Sequence, residues 1–156
     1  MVGLTHSQDS KVNIMVPVQR LVRAIQVSQG EFSLLLVCCH STVKQTHILH
    51  LLKEFCPTEI KEIALPPAAE TFYTTVSDLL GSARPQALIV KGLESVTAIN
   101  QLIVSTNLMR DELRKRFQYP LVLWVNDEIL QKLVWLAPDL KNWAACTIRF
   151  DLANEQ

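Results

Sequence analysis

The chain has 156 residues, of which 49% are hydrophobic and 19% are charged. This length suits one domain, and the apolar content is enough for a buried core, which excludes disorder over most of the sequence. Fifteen basic and fifteen acidic residues cancel, so no net positive field exists to attract a phosphate backbone. We therefore expect no nucleic-acid partner.

The sequence carries no pattern of export or membrane insertion. Its N-terminus lacks the basic, apolar and small-residue order of a secretory signal, and its longest apolar run, residues 34–39, is too short to span a bilayer. We therefore expect a cytoplasmic protein without a membrane partner, whose four cysteines are reduced and mostly buried.

Helical and strand patterns alternate along the chain. Residues 1–13 are polar and aperiodic and are predicted to form a flexible tail. Five short segments are predicted as strands: residues 32–39, 60–65, 87–90, 121–125 and 146–150. Helical spacing and end signals predict the helices that precede or connect them: residues 17–27, 42–55, 71–80, 95–117 and 127–136.

Strands that are separated by helices of ten or more residues return in parallel. The pattern therefore predicts an α/β fold, a three-layer sandwich with about five mainly parallel strands, of the P-loop or Rossmann-like type. Residues 14–152 are expected to form its single domain. The strand at residues 146–150 alternates apolar and polar residues, which is typical of a sheet edge. The order of the strands does not follow from these patterns.

Lys44 is the first candidate for chemistry, because ligands of an open parallel sheet bind at the carboxyl ends of its strands. It lies where a phosphate-binding loop, G-x-x-x-x-G-K-[ST], has its lysine. The two glycine positions of that pattern, however, fall on Cys38 and Val43, and the hydroxyl position falls on Gln45. A Cβ obstructs the backbone that cradles phosphate. We therefore expect a solvated helix lysine, with a phosphate contact as the alternative.

The ends of the third and fourth strands carry two further candidates. Glu94 follows Lys91 and Gly92, near the place where nucleotide-hydrolysing sites hold an acidic residue that binds Mg²⁺ or activates water. Glu94 equally suits the N-terminus of the following helix, where negative charge is favourable. Asn126, beside Asp127, either caps a helix or contacts a bound nucleotide.

Three histidines close in sequence to two cysteines raise the question of zinc: His40, His47 and His50, with Cys38 and Cys39. Their spacings match no known pair of zinc ligands, and no C-x-x-C is present. The adjacent Cys39 and His40 also make a poor nucleophile and base, without a visible oxyanion loop. We expect no metal site and no catalytic residue, and the chain is more readily explained as a protein that is not an enzyme.

Trp135 and Trp143 are the candidate interaction residues. Buried tryptophans serve packing, but a tryptophan on an exposed helix marks a docking patch for another protein domain. The basic run at residues 110–116 is expected to be a solvated helix end, since cations complement the C-terminal dipole.

One pattern extends over residues 119–143: a strand ending in Leu-Trp-Val at 123–125, a helix, and Leu-Ala-Pro-Asp at 136–139 followed by Trp143. This pattern resembles the N-terminal α/β domain of large multidomain bacterial proteins, particularly cyanobacterial ones, which continue into WD-type or tetratricopeptide repeats. The runs at 30–34, 92–95 and 110–114 fit the same group, and the likeness covers about residues 17–150.

More remotely, the order of elements is similar to the nucleotide-binding core of the signal-transduction ATPases called STAND proteins. That resemblance implies ATP-dependent switching in signalling, but the glycines before Lys44 and the aspartate before Glu94 are missing. Our first hypothesis is a non-catalytic regulatory or protein-interaction domain, related to a degenerate P-loop NTPase and without a cofactor. It would dock to repeats, to a partner protein or to a second copy of itself. The alternatives are a signalling switch that binds ATP and Mg²⁺ through Lys44, Glu94 and Asn126, and a hydrolase without a recognisable nucleophile motif.

Overall fold

The computed structural model describes the backbone of residues 2–150 and the side chains of residues 14–150. Its elements in chain order are α1 (Val2–Val27), β1 (Ser33–Cys38), α2 (Thr42–Phe55), β2 (Ile60–Ala64), α3 (Phe72–Leu80), β3 (Ala87–Lys91), a short 3-10 helix (Leu93–Ser95), α4 (Ile99–Leu108), α5 (Arg110–Arg116), β4 (Pro120–Val125), α6 (Asp127–Leu136), α7 (Pro138–Asn142) and β5 (Ala144–Arg149). Within this part of the chain, no helix combines the length and the apolar character needed to cross a membrane.

The five strands form one sheet in the order β2-β3-β4-β1-β5. All four pairings are parallel, and in the central pair Cys38 of β1 lies opposite Val125 of β4. Parallel pairing follows from the helices that connect the strands, since a parallel return needs a crossover of a dozen residues or more. The predicted α/β fold with five parallel strands is confirmed, and β5 lies at an edge as its alternating pattern predicts.

Helices cover both faces of the sheet, because successive strand residues point to opposite faces. On one face, Leu21 of α1 and Ile48 of α2 pack in a cluster with Leu35 and Val37 of β1. The other face is covered by α3 to α7, which contribute a larger cluster of buried side chains: Phe72, Val76, Leu102, Ile103, Leu113, Ile129, Leu133 and Leu140. The predicted three-layer sandwich is therefore confirmed, and it is doubly wound.

The first helix is longer than predicted. Its helical backbone runs from Val2 to Val27 with Pro17 inside it, whereas the sequence predicts a helix start at Pro17. A proline fits the first helical position best, because inside a helix it removes one backbone hydrogen bond. The residues of the predicted tail, 1–13, have no described side chains, so the prediction that they are flexible stays a prediction.

The prediction of a single long helix at residues 95–117 is wrong. The short 3-10 helix, α4 and α5 occupy this region instead. Val96 is extended and buried, and the amide of Thr97 donates to the carbonyl oxygen of Pro67 at 2.9 Å. A second break lies at Met109, between α4 and α5. Contacts with other parts of the fold thus override the helical spacing of this segment.

Candidate functional site

The carboxyl ends of β1 and β4 form the topological switch point of the sheet. β1 continues into α2 on one face, and its neighbour β4 continues into α6 on the other face. Open α/β sheets bind their ligands at such a point, because the diverging connections leave a crevice between the strand ends. Of the predicted nucleotide-binding residues, Lys44 follows β1, Asn126 follows β4, and Glu94 follows β3 on the far side of β4.

The connection between β1 and α2 is short. It consists of residues 39–41, and the side-chain oxygen of Ser41 caps α2 by accepting the amide of Lys44 at 3.2 Å. A helix N-terminus binds phosphate through its unpaired amide groups, and Ser41 already takes one of them. A phosphate-binding loop also needs four residues between two glycines. The connection therefore has neither the length nor the glycines of a phosphate cradle.

Lys44 contacts the backbone that follows β5. Its Nζ donates to the carbonyl oxygen of Phe150 at 3.2 Å, while the amide of Phe150 donates to the carbonyl oxygen of Cys38 at 3.0 Å. The side chain of Lys44 is half-buried. This lysine therefore links the first turn of α2 to the end of the edge strand.

Glu94 lies in the short 3-10 helix and is exposed. The α-helix that follows begins at Ile99, so Glu94 does not carry the start of a long helix, as one interpretation of the sequence had it. Gly92 precedes this 3-10 helix in the left-handed conformation, with φ 88° and ψ 8°.

Asn126 caps α6. Its Oδ1 accepts the amide of Ile129 at 2.8 Å, which satisfies one of the unpaired donors at the start of that helix. The side-chain hydrogen bonds described for Asn126 and Lys44 go to Ile129 and to Phe150. The three residues of the predicted nucleotide site thus lie at one edge of the sheet, each in a different element or connection.

Asp127, the first residue of α6, contacts three other side chains at this edge. Its Oδ1 accepts from Nη1 of Arg149 at 2.7 Å, and its Oδ2 lies 2.9 Å from Nε2 of His40. A carboxylate only accepts, so Nε2 carries the proton of the second bond. The side chains of His40 and Asp127 are 45% and 51% exposed, so solvent reaches this pair.

Cys38 approaches the same carboxylate from the interior. Its thiol donates to Oδ1 of Asp127 at 3.3 Å, and Nη1 of Arg149 lies 3.8 Å from its Sγ. The cysteine itself is buried. The hydrogen bond from Arg149, then that from Cys38 and, with a smaller effect, that from His40 lower the pKa of Asp127 to about 2, while burial acts in the opposite direction. The carboxylate is therefore fully ionised at neutral pH.

A groove opens beside this cluster, between α6 and β5. Its volume is about 670 Å³, and its polar lining includes Asp127, Lys141, Thr147 and Arg149. The cluster of Cys38, His40, Asp127 and Arg149, which we call the edge cluster, therefore faces solvent on the side of His40 and borders an open groove.

Sequence analysis did not combine these four residues, because Asp127 is 89 positions from Cys38 and Arg149 is a further 22 away. The strand register brings them together. Cys38 lies opposite Val125, so two residues beyond each strand end His40 comes level with Asp127. The proximity of His40 and Asp127 can be predicted only when the strand order is known, and the hydrophobic pattern does not give the strand order.

Trp135 is strongly exposed, whereas Trp143 is engaged within the chain. The side chain of Trp135, on α6, is 81% exposed. Trp143 packs edge-on against Phe32, with ring centroids 6.3 Å apart, and the guanidinium groups of Arg110 and Arg114 lie 5.8 and 5.3 Å from its ring centre. Part of the basic run predicted to be solvated thus stacks on Trp143.

Comparisons with known proteins found likenesses in structure alone. No protein-family model matches the chain, and no curated protein matches it. Similar solved structures include the ORC2 protein of Aeropyrum pernix in ADPNP and ADP complexes, with 8% identity and a TM-score of 0.48 over 91% of this chain and 46% of that one. Two structures of the RuvB Holliday junction branch migration motor of Thermotoga maritima have 13% and 14% identity, each with a TM-score of 0.45 over 91% of this chain and 44% of the other. The chain spans less than half the length of these structures.

Proposed function

We propose that the chain is a non-catalytic regulatory domain that binds another protein through the outer surface of α4 and α6. The observation that carries the proposal is the 81% exposure of Trp135 on this surface. Fully covering a tryptophan removes about 150 to 250 Å² from water, which corresponds to roughly 4 to 6 kcal/mol at about 25 cal/mol per Å². Tryptophan is also the residue type most enriched at the energetic centres of protein interfaces.

Two further exposed apolar side chains lie on α4, the helix beside α6. Val104 and Leu108 lie one turn apart on α4 and are 40% and 76% exposed. The two helices run side by side, because Nζ of Lys132 on α6 donates to Oδ1 of Asn100 on α4 at 2.7 Å. Val104 lies four residues after Asn100 and Trp135 three residues after Lys132, so helical spacing places each on the side of its helix that carries this bond. We call Val104, Leu108 and Trp135 the apolar face.

The resemblance of the sequence to N-terminal domains of large repeat proteins suggests what would cover this face. The partner would be a repeat region of the same assembly or a separate protein, and a second copy of the chain is the remaining candidate. Apolar residues around a tryptophan, with polar pairs such as Lys132 and Asn100 at the margin, match the apolar centre and polar rim of protein interfaces.

A binding experiment with matched variants tests the proposal. The purified chain, with a photo-crosslinker at Leu108, is incubated with an extract of its source cells, and crosslinked peptides are identified by mass spectrometry. We expect one defined protein partner, and we expect Trp135→Ser to abolish its crosslinking. Val43→Ser is the control, because Val43 is equally exposed but lies on α2, on the opposite face of the sheet. Equal crosslinking by wild type and Trp135→Ser would refute the proposal.

The alternative function is a switch that binds ATP and Mg²⁺ through Lys44, Glu94 and Asn126. It is supported by their location at the carboxyl edge of the sheet. The short connection capped by Ser41 and the bond from Lys44 to Phe150 weigh against it. Isothermal titration with ATP and with ADP, each with Mg²⁺, separates the two functions. Micromolar binding that Lys44→Ala abolishes would replace the interaction proposal with the switch.

A further inference from the structure

Three side chains of the edge cluster carry the donor atoms that zinc prefers. The Sγ of Cys38, the imidazole nitrogens of His40 and the carboxylate oxygens of Asp127 supply one ligand atom each, and these atoms all lie within 4.8 Å of one another. From zinc bond lengths of 2.0 to 2.3 Å, a tetrahedral ion needs ligand atoms roughly 3.3 to 3.6 Å apart. Shifts of about 1 Å or less therefore bring all three atoms to their places.

The fold supports this arrangement beyond simple proximity. Cys38 is the last residue of β1 and His40 follows two residues later, and the side chains of both contact the carboxylate of Asp127. Asp127 is fixed on the neighbouring strand end by the cap of Asn126 on α6. One ligand is buried and two are exposed, so an ion can enter from solvent and still be held from the interior.

We propose that Cys38, His40 and Asp127 form a site for Zn²⁺ with three protein ligands and a fourth position open toward solvent. On binding, the S–H bond of Cys38 breaks, its proton passes to the buffer and an S–Zn bond forms. Solvent removes the proton that Nε2 of His40 donates to Asp127 and protonates Nδ1, so the imidazole stays neutral while the Nε2–Zn bond forms, and no group is oxidised or reduced. A fourth position filled by water or a small ligand is typical of zinc sites that are not purely structural.

The guanidinium of Arg149 competes with zinc for two of the three ligands, Asp127 and Cys38. Its Nη1 lies 2.7 Å from Oδ1 of Asp127 and 3.8 Å from Sγ of Cys38, so a positive charge already contacts two of the three ligands. Zinc binding must move this guanidinium away from the carboxylate, for example into the adjoining groove. Replacing Arg149 with glutamine is therefore expected to tighten zinc binding by several fold, because the repulsion between two cations is removed.

Titration with Zn²⁺ alone and with Co²⁺ alone tests the site in the purified, reduced full chain. We expect a one-to-one complex with Zn²⁺ at a Kd below about 1 µM. The cobalt complex should show a thiolate-to-metal charge-transfer band and the intense visible bands of tetrahedral coordination. His40→Ala should weaken zinc binding by at least about 10-fold, and Cys38→Ser should remove the charge-transfer band.

Two controls separate the site from adventitious thiol or histidine binding. His47→Ala removes an exposed histidine of α2, and Cys146→Ser removes a thiol of β5, both outside the edge cluster. Both variants should bind zinc as the wild type does. Because His40 is exposed, its alanine variant keeps the fold even if Cys38→Ser does not. Zinc binding weaker than about 1 µM, or unchanged in His40→Ala, would overturn the proposal.

Discussion

The substitution Gly92→Ala tests how the carboxyl edge of the sheet is built. Gly92 is the glycine nearest to the edge cluster along the strand ends, and its φ of 88° is unfavourable for any residue with a Cβ. A Cβ at this position would lie 3.2 Å from both the backbone nitrogen and the backbone oxygen of Leu65. That backbone is held in place, because the amide of Leu65 donates to the carbonyl oxygen of Lys91 at 2.9 Å.

Gly30 provides the matched control. Its φ is 81°, but a Cβ there would meet nothing within 4 Å. The left-handed conformation costs an L-residue about 1 to 2 kcal/mol, and the smaller entropy of the unfolded chain returns about 0.4 to 1 kcal/mol. We therefore expect Gly30→Ala to lower the free energy of unfolding by about 0 to 1.6 kcal/mol. Gly92→Ala adds the cost of overpacking against fixed backbone, about 1 to 3 kcal/mol more.

Urea unfolding at neutral pH, followed by tryptophan fluorescence, measures both free energies of unfolding. The prediction is that Gly92→Ala is less stable than Gly30→Ala by at least about 1 kcal/mol. Equal losses in the two variants would show that the backbone of Leu65 yields without cost, and the contact argument would be refuted. Circular dichroism confirms that both variants remain folded before the comparison is made.

Three further predictions concern α6. Asn126→Ala should lower the free energy of unfolding by about 1 kcal/mol, and Asn126→Asp should restore most of it in the same urea assay, because aspartate also caps a helix; no restoration would count against the capping role. Measured in EDTA at pH 7, Asp127→Asn should lower the free energy of unfolding by less than about 1 kcal/mol, because the ion pairs of Asp127 are half-exposed. Because the pKa of Asp127 is lowered to about 2 from an ordinary 3.8, this stabilisation is present above pH 4 and is lost as the pH falls through 2, so the stability curves of wild type and variant should converge there. Leu133→Ala should cost about 2 to 5 kcal/mol, whereas its half-exposed neighbour Val134→Ala should change stability by about 0.5 kcal/mol or less; thermal unfolding distinguishes the two.

The sequence pattern predicted the elements of the sheet well, for a physical reason. The three inner strands, β1, β3 and β4, are buried on both faces, so each stands out as a short continuous apolar run between helical segments. The edge strands β2 and β5 mix polar with apolar residues. The helix over residues 127–136 was predicted with its observed bounds, because Asn126 is a good cap and Pro138 can only begin the next helix. Both signals are local, and neither depends on the strand order.

The errors lie where distant contacts decide the local structure. The break between the short 3-10 helix and α4 depends on the bond from Thr97 to Pro67, and nothing in the spacing of apolar residues reports such a bond. The edge cluster was missed for the same reason. Ligand spacing was judged between cysteines and histidines close in sequence, while the carboxylate that completes the set lies on another strand end, at Asp127.

The two proposed sites share α6, which makes their independence testable. Asp127 begins this helix, and Trp135 lies eight residues later, about 12 Å along the axis at 1.5 Å per residue. Substitutions that far apart, with no shared partner, should have additive effects. Trp135→Ser should therefore leave the Kd for Zn²⁺ unchanged, and His40→Ala should leave partner crosslinking unchanged. Isothermal titration of Trp135→Ser with Zn²⁺ and crosslinking of His40→Ala measure the two. If zinc instead altered partner binding, α6 would have to move as a unit between two positions. Zinc binding at the edge cluster would then regulate partner binding at the apolar face.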